Sequence, residues 1–419
     1  MNIQTKFVRI GRKVPGVLYE PADAAKRHPA AVLVMHSDED YLTCPTGEEL
    51  ARRGHVVLCA NVEVKEGIIF HMHEKMHCVR AALTWLKDYP GVKKVILMGH
   101  SGGATLMSAY QAVGENGPQV FQGDEVIYPY PDDEALPPAD GIMLLDANWG
   151  NSVMQVFSLD PAVRRDDNGM DIDPEYDLFN PENGFRKGGS EYSPAFTEKF
   201  QKEQSRRNRR ILSSAMERLS QIEAGKGLYE DDEPLSLAGA AQSFFCNKLF
   251  AQDPRLLSHT QDAWPQIYAD GSIRTEVVHT VRHPENDISF TANFREGARL
   301  LTVRTFLSSY AIRTEENFGY DASHVWGIDW TSAYSAPPGN MTHIKAPTLV
   351  MGMTGGWEFM AAETIYRMSA AEDKTIAFVR GASHKFKTAQ HCESYPGEFG
   401  DTMALLHDYA AAWLKAGRF

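Results

Sequence analysis

The pentapeptide Gly99-His100-Ser101-Gly102-Gly103 lies between the apolar run Lys94-Val95-Ile96-Leu97-Met98 and a helix-like stretch through Ala104, Leu106, Met107 and Tyr110. Strand, tight turn, serine, helix is the order that holds a serine hydroxyl off the end of a strand as a nucleophile. Glycines on both sides let the chain turn sharply without a side-chain clash. The amide of Gly102 and the N-terminus of the following helix aim positive dipole at the place where an oxyanion would form. A second chemistry is spelled by His73-Glu74-Lys75-Met76-His77, which fits H-E-x-x-H. That spacing puts two zinc-ligating histidines one helical turn apart, with a glutamate to activate water. No third ligand follows at a suitable spacing, and the segment precedes the crossover helix that leads into the Ser101 strand. His73 and His77 are therefore expected near the solvated start of a helix, with a metal site as the alternative. The acidic run from Asp166 to Asp173 has the content of a calcium loop, but its Gly169 is out of register with an EF-hand, so a surface loop is expected.

The elements that must position Ser101 follow from apolar periodicity. Residues 8–10 and 14–18 form two short opening strands around the Gly11-Arg12-Lys13 turn. Residues 30–35 and 56–60 are apolar without alternation, which suits strands covered on both faces. A helix-like stretch, 47–53, separates them. Val79, Ala82, Leu83 and Trp85 recur at helical spacing up to the stop signal Pro90-Gly91. Residues 141–145 give the next strand, ending at Asp146, and there the pattern breaks. From about 148 to 344 the chain carries acidic loops, a charged helix around 198–222 and a second helical zone over 293–311. That is too long and too patterned for a loop, and it predicts a lid or cap. A strand at 347–351, a helix at 359–368, a strand at 375–379 and an amphipathic helix at 402–414 complete an α/β pattern.

With 419 residues, 43% of them hydrophobic, the chain can bury a catalytic domain and a sizeable insertion. A formal charge of -13 disfavours nucleic acid and anionic membrane as partners. The run Arg206-Arg207-Asn208-Arg209-Arg210, set in acidic surroundings, is expected to be a solvated or salt-bridged helix face. No stretch approaches the length of a membrane span, and the first residues lack the pattern of a secretory signal. Five widely spaced cysteines, Cys44, Cys59, Cys78, Cys246 and Cys392, suit reduced thiols in a cytoplasmic protein.

These elements and the Ser101 turn resemble the α/β-hydrolase superfamily over about residues 6–150 and 345–417. The resemblance implies an α/β-hydrolase fold: a mostly parallel twisted sheet with helices on both faces and a large, mainly helical cap insertion. Residues 1–147 and 345–419 would be the core, and residues 148–344 the cap. It further implies a nucleophile, an acid and a base on separate strand ends. Ser101 matches the nucleophile, and His384 in Gly381-Ala382-Ser383-His384 matches the base, an imidazole able to take the serine proton and return it to a leaving group. After strand 347–351 the family usually carries an aspartate in a Gly-rich turn. Here the chain reads Gly352-Met353-Thr354-Gly355-Gly356-Trp357-Glu358, so Glu358 is the first choice of orienting acid. Asp146, on the preceding strand end, is the alternative. The second oxyanion donor should come from His36-Ser37-Asp38, which pairs the amide of Ser37 with that of Gly102, while Asp38 braces the loop.

The resulting expectation is a serine hydrolase of a carboxylic ester, lactone or thioester that forms an acyl-enzyme and needs no cofactor. Its partner would be a small-molecule substrate, and it could be a homo-oligomer. Phe157, Phe244, Phe245, Trp264, Trp326 and Trp330 supply apolar area for a pocket wall in the cap. A C-C bond hydrolase or lyase on the same fold, and a non-catalytic binding protein, are the alternative readings.

Overall fold

Unbroken apolar runs have no polar face to turn toward water, so they end in the middle of a covered sheet. The computed structural model describes residues 1–11, 13–63, 71–242, 247–284, 297–417 and 419. Its opening strands are β1 (Ile3–Ile10), β2 (Val14–Pro21), β3 (Ala30–Val34), β4 (Val57–Ala60), β5 (Lys94–His100) and β6 (Gly141–Leu145). In β5, Val95 and Leu97 join one apolar cluster while Ile96 and Met98 join another, the two-residue alternation of a strand packed on both faces. Helix α1 (Pro45–Arg52) and the C-terminal helix Thr402–Ala416 cover one face through Leu50, Leu406 and Leu414. Helices α2 (Met72–Lys87) and α3 (Gly102–Asn116) cover the other through Val79, Leu83, Leu106 and Tyr110. Each of these leucines and valines contributes about 1.5–3 kcal/mol when taken out of water.

Beyond β6 come helix α4 (Asn151–Ser158), the hairpin β7 (Val163–Arg165) and β8 (Asn168–Ile172), helix α5 (Pro194–Glu223) and β9 (Pro234–Leu237). These are followed by β10 (His259–Ile267), β11 (Ile273–His279), β12 (Arg299–Thr302), β13 (Arg313–Tyr320) and β14 (Val325–Asp329), then by β15 (Thr348–Met353) and β16 (Lys374–Val379). The main sheet has ten strands in the order β1-β2-β4-β3-β5-β6-β15-β16-β10-β11. From β4 through β10 all neighbours are parallel; the pairs at the two ends, β1 with β2, β2 with β4 and β10 with β11, are antiparallel.

Two expectations for residues 148–344 need correction. The segment does not lie wholly outside the sheet: Gln266 and Ile267 of β10 pair in parallel with Phe378 and Val379 of β16, and β11 forms the outer edge. An uncovered β16 would present open backbone donors and acceptors, and this hairpin covers them. Nor is the segment mainly helical, because β7 with β8, β9 with β12, and β13 with β14 form three further two-stranded sheets. Within the expected second helical zone, 293–296 lie outside the described residues, Arg299–Thr302 is a strand, and Val303–Ser309 is helix.

Helix α5 starts at Pro194 behind Ser193, whose hydroxyl accepts from the Phe196 N–H at 3.2 Å. Its arginine run is internally neutralised, as expected. Arg206 and Arg210 pair with Glu203, Arg209 with Glu316, and the buried Arg207 donates to the carbonyls of Asp160 and Ala238 and pairs with Asp166. The acidic run 166–173 is a hairpin rather than a loop, with Arg164 and Arg165 against Asp171, Asp173 and Asp167. Cys44, Cys59, Cys78 and Cys392 are free and buried, and Cys246 lies outside the described residues. Among the described residues no helix is long and apolar enough to cross a membrane.

Candidate active site

Strand β5 runs directly into Ser101, whose backbone at φ 54° and ψ -127° is a conformation that side chains avoid. Such a residue costs about 1–3 kcal/mol and persists only where the surroundings hold it. The glycines around it are required by close approach. A Cβ at Gly99 would lie 2.6 Å from Ala104 Cα, and one at Gly103 would lie 2.5 Å from the Met35 carbonyl oxygen. The Ala104 N–H donates to the Ser101 carbonyl at 3.1 Å, and helix α3 begins.

Because β3, β5, β6, β15 and β16 are parallel, the loops after each of them open at one end of the sheet, where ligand sites of such sheets form. Asp146 follows β6, the immediate neighbour of β5. It is fully buried, has φ 48°, and accepts the Met353 N–H on Oδ1 at 2.7 Å. Its Oδ2 lies 2.7 Å from Nδ1 of His384, the residue that follows the β16 turn. Glu358 Oε1 is 3.8 Å from the same nitrogen, and its other oxygen accepts the Trp357 N–H at 3.1 Å. The carboxylate at hydrogen-bonding distance is thus that of Asp146, whereas the first choice on sequence was Glu358. Adjacency explains this: the end of β6 abuts both β5 and β15, while Glu358 sits beyond a Gly-Gly-Trp turn that directs its side chain back onto its own loop.

Burial works against a charge on His384, but the negative charges of Glu358 and Asp146 and the Asp146 hydrogen bond outweigh it and raise its pKa to about 9. Burial raises the Asp146 carboxyl, opposed by its bond to His384. If neutral His384 is the base, kcat/KM climbs with pH and levels off only above about pH 9. Stability moves the other way. The folded pKa exceeds the ordinary 6.5, so the stabilisation from His384 protonation is complete below about pH 6.5 and is lost as pH rises through about 9. A pH series of initial rates together with thermal melts checks both signs; a kcat/KM plateau already reached at pH 6 refutes the first.

Two residues that sequence analysis did not single out hold the histidine loop. His100 Nε2–H donates to the His384 carbonyl at 2.7 Å, and the Tyr41 hydroxyl donates to His100 Nδ1. Burial, then the nearby His384 charge, pushes the His100 pKa well below its ordinary value, so its single ring proton stays on Nε2. His100 lay inside the pentapeptide, but its spacing carried no sign of its partners.

Ser37 and Gly102 face each other: a Cβ at Gly102 would lie 2.8 Å from Ser37 Oγ and 3.0 Å from Asn151 Oδ1. Asp38 braces the loop by accepting Ser37 Oγ–H at 2.7 Å, Lys75 Nζ at 2.8 Å, Tyr310 OH at 2.9 Å and Asn151 Nδ2 at 3.1 Å. Desolvation opposes its charge, but the Lys75 ammonium holds the carboxyl well below the usual range. Lys75 belongs to the H-E-x-x-H segment, which is thereby committed to bracing this loop. Glu74 accepts the His71 N–H at 2.7 Å as a helix cap, and His77 Nε2 pairs with Asp132 at 2.7 Å. His73 stacks on His71 instead. Among the described residues the ring of His77 groups with Asp132 and Glu134.

Ser101, Gly102, His384, Glu358, Asn151 and Arg299 are among the residues that line one cavity of about 720 Å³. The expected aromatic wall is elsewhere. Phe157 packs in the core against Trp149, Phe250 and Tyr320, Trp264 meets Tyr366 edge to face, and the Trp326 indole donates to the Asn317 carbonyl. Trp330 packs against the main core, and Phe244 and Phe245 lie outside the described residues.

No family model and no curated protein sequence matches the chain. Among solved structures it is similar to an alpha/beta hydrolase from Penicillium sp. sh18, with 12% identity, 99% of each chain covered and a TM-score of 0.41. It is also similar to a dienelactone hydrolase from Anabaena variabilis, with 10% identity, 99% of this chain and 97% of that chain covered and a TM-score of 0.39. A carboxyl esterase from Tuber melanosporum gives 12% identity, 100% and 88% coverage and a TM-score of 0.40. The fold follows from the chain's own strands. With β1 through β6, β15 and β16 in the order 1-2-4-3-5-6-7-8 of that fold, and with Ser101 on a strained turn after the fifth strand, the chain has the α/β-hydrolase fold.

Proposed function

We propose that the protein is a serine hydrolase that cleaves a carboxylic ester, lactone or thioester through an acyl-enzyme. The observation that carries this reading is the 2.7 Å contact between the buried Asp146 Oδ2 and Nδ1 of His384, which lines the same cavity as Ser101. His384 Nε2 takes the Ser101 proton as Oγ attacks the substrate carbonyl, and the oxyanion forms against the amides of Gly102 and Ser37. The imidazolium, held by Asp146, gives its proton to the departing alcohol or thiol. A water then loses a proton to His384 and attacks the acyl carbon, and Ser101 Oγ leaves and recovers that proton.

Support for the oxyanion pair comes from donors. Gly102 opens helix α3, where an N–H has no intrahelical acceptor, and the Ser37 N–H donates to no group among the described residues. A fluorophosphonate probe, mapped by peptide mass spectrometry, tests the nucleophile. Labelling at Ser101 that is suppressed in His384→Ala is expected. An unlabelled Ser101 in folded protein, or labelling confined to another serine, refutes it.

A further inference from the structure

We infer that this cavity selects substrates that carry a carboxylate, bound by Arg299; the inference rests on the reading of the cavity as the active site. Arg299 opens β12, where its pairing with Leu237 of β9 fixes it. It is partly buried, lines the cavity, and lays its guanidinium over the ring of Tyr310 at 4.3 Å. Tyr310 in turn donates to Asp38, whose other partners include Ser37. Arg299 therefore stands beside the chain of contacts that leads to the oxyanion loop.

What sets Arg299 apart is its lack of a carboxylate partner: its polar neighbour is the Tyr310 hydroxyl. Its Nε is shut off from solvent without a hydrogen-bond partner, and among the described residues no carboxylate lies within ion-pair distance. Three arginines of the same segment are paired: Arg207 with Asp166, Arg218 with Glu233, Arg304 with Glu223. Three of the four acids that line the cavity are engaged elsewhere, and the fourth, Glu39, is among the charges that raise the His384 pKa. Asp38 holds four donors, Asp40 takes the Leu42 N–H and the Asn61 amide, and Glu358 faces His384. A guanidinium nitrogen shut away from water without an acceptor is unfavourable, and a ligand acceptor removes that penalty. Its planar fork, already fixed by stacking, matches a carboxylate in two parallel hydrogen bonds. The placement beside the oxyanion loop puts that carboxylate on the acyl part of the substrate.

The test uses the full chain with glutarate as an equilibrium probe and two chromogenic esters of similar length, p-nitrophenyl glutarate and p-nitrophenyl pentanoate. Wild type should bind glutarate, and Arg299→Gln should weaken it by about tenfold or more, the loss of a charge-assisted pair. Arg299→Lys should fall between them. The ratio of kcat/KM for the glutarate ester over the pentanoate ester should drop by a similar factor in Arg299→Gln, through KM, with unchanged circular dichroism. Equal glutarate binding by wild type and Arg299→Gln, no binding by wild type, or an unchanged ratio overturns the inference. Glutarate binding that requires Arg299 in a protein whose Ser101 is never labelled would sink the serine mechanism and leave this inference standing. Labelled Ser101 and brisk pentanoate hydrolysis, with no dependence on Arg299, would do the reverse.

Discussion

Ser101→Ala should lower kcat by on the order of 10⁵ to 10⁶ while leaving the fold intact, because the proposed mechanism has no substitute for the hydroxyl that forms the acyl bond. Alanine keeps the Cβ that makes φ 54° costly, so the strain at the turn is retained and stability should move little. Ser101→Gly removes that Cβ and should raise the melting temperature, while its turnover is equally lost. The pair separates two roles of one position: a backbone held in an unfavourable state, and the hydroxyl which that state presents. Steady-state kinetics and calorimetric melts on both variants check this. An Ser101→Ala enzyme that retains more than a tenth of wild-type kcat rules out the acyl-enzyme at Ser101.

The nucleophile turn was legible because everything that specifies it is local. An apolar strand, three glycines and a serine within one pentapeptide, and an apolar helix follow one another in the chain, and the close contacts at Gly99 and Gly103 show why smaller residues are needed there. His384 was legible for a similar reason, one strand and one glycine turn from the end of the core. The acid was not. Asp146 and Glu358 both follow apolar strands, and spacing does not record that β6 lies between β5 and β15 or that Trp357 recruits a Glu358 oxygen. The same blindness affected the insertion. Asp270-Gly271 between alternating residues is a hairpin signal, but nothing in it says that the hairpin joins β16. Lys75 was read only within a metal motif, although its partner Asp38 sits far earlier in the chain. Local chemistry is written in adjacent residues, whereas its orientation is decided by which strands become neighbours.

That distinction gives the second large effect. Asp146→Asn should lower kcat by about 10³ to 10⁴, the scale of losing the orienting carboxylate in a serine triad. An amide that turns its NH2 toward His384 forces the ring proton onto Nε2, and the base can no longer accept the Ser101 proton. Glu358→Gln should behave differently. The Glu358 charge stands 3.8 Å from Nδ1 without a hydrogen bond and helps to raise the His384 pKa. Its removal lowers that pKa, so a larger fraction of His384 is neutral at pH 7 and the acid limb of kcat/KM shifts to lower pH. At pH 7 the variant should therefore match or exceed wild type in kcat/KM, and its advantage should vanish above about pH 9, where His384 is neutral in both proteins. Circular dichroism and full pH profiles of the two variants separate orientation from charge. If folded Asp146→Asn keeps its turnover while Glu358→Gln loses it, the acid belongs to the loop after β15, and the 2.7 Å contact of Asp146 is only structural.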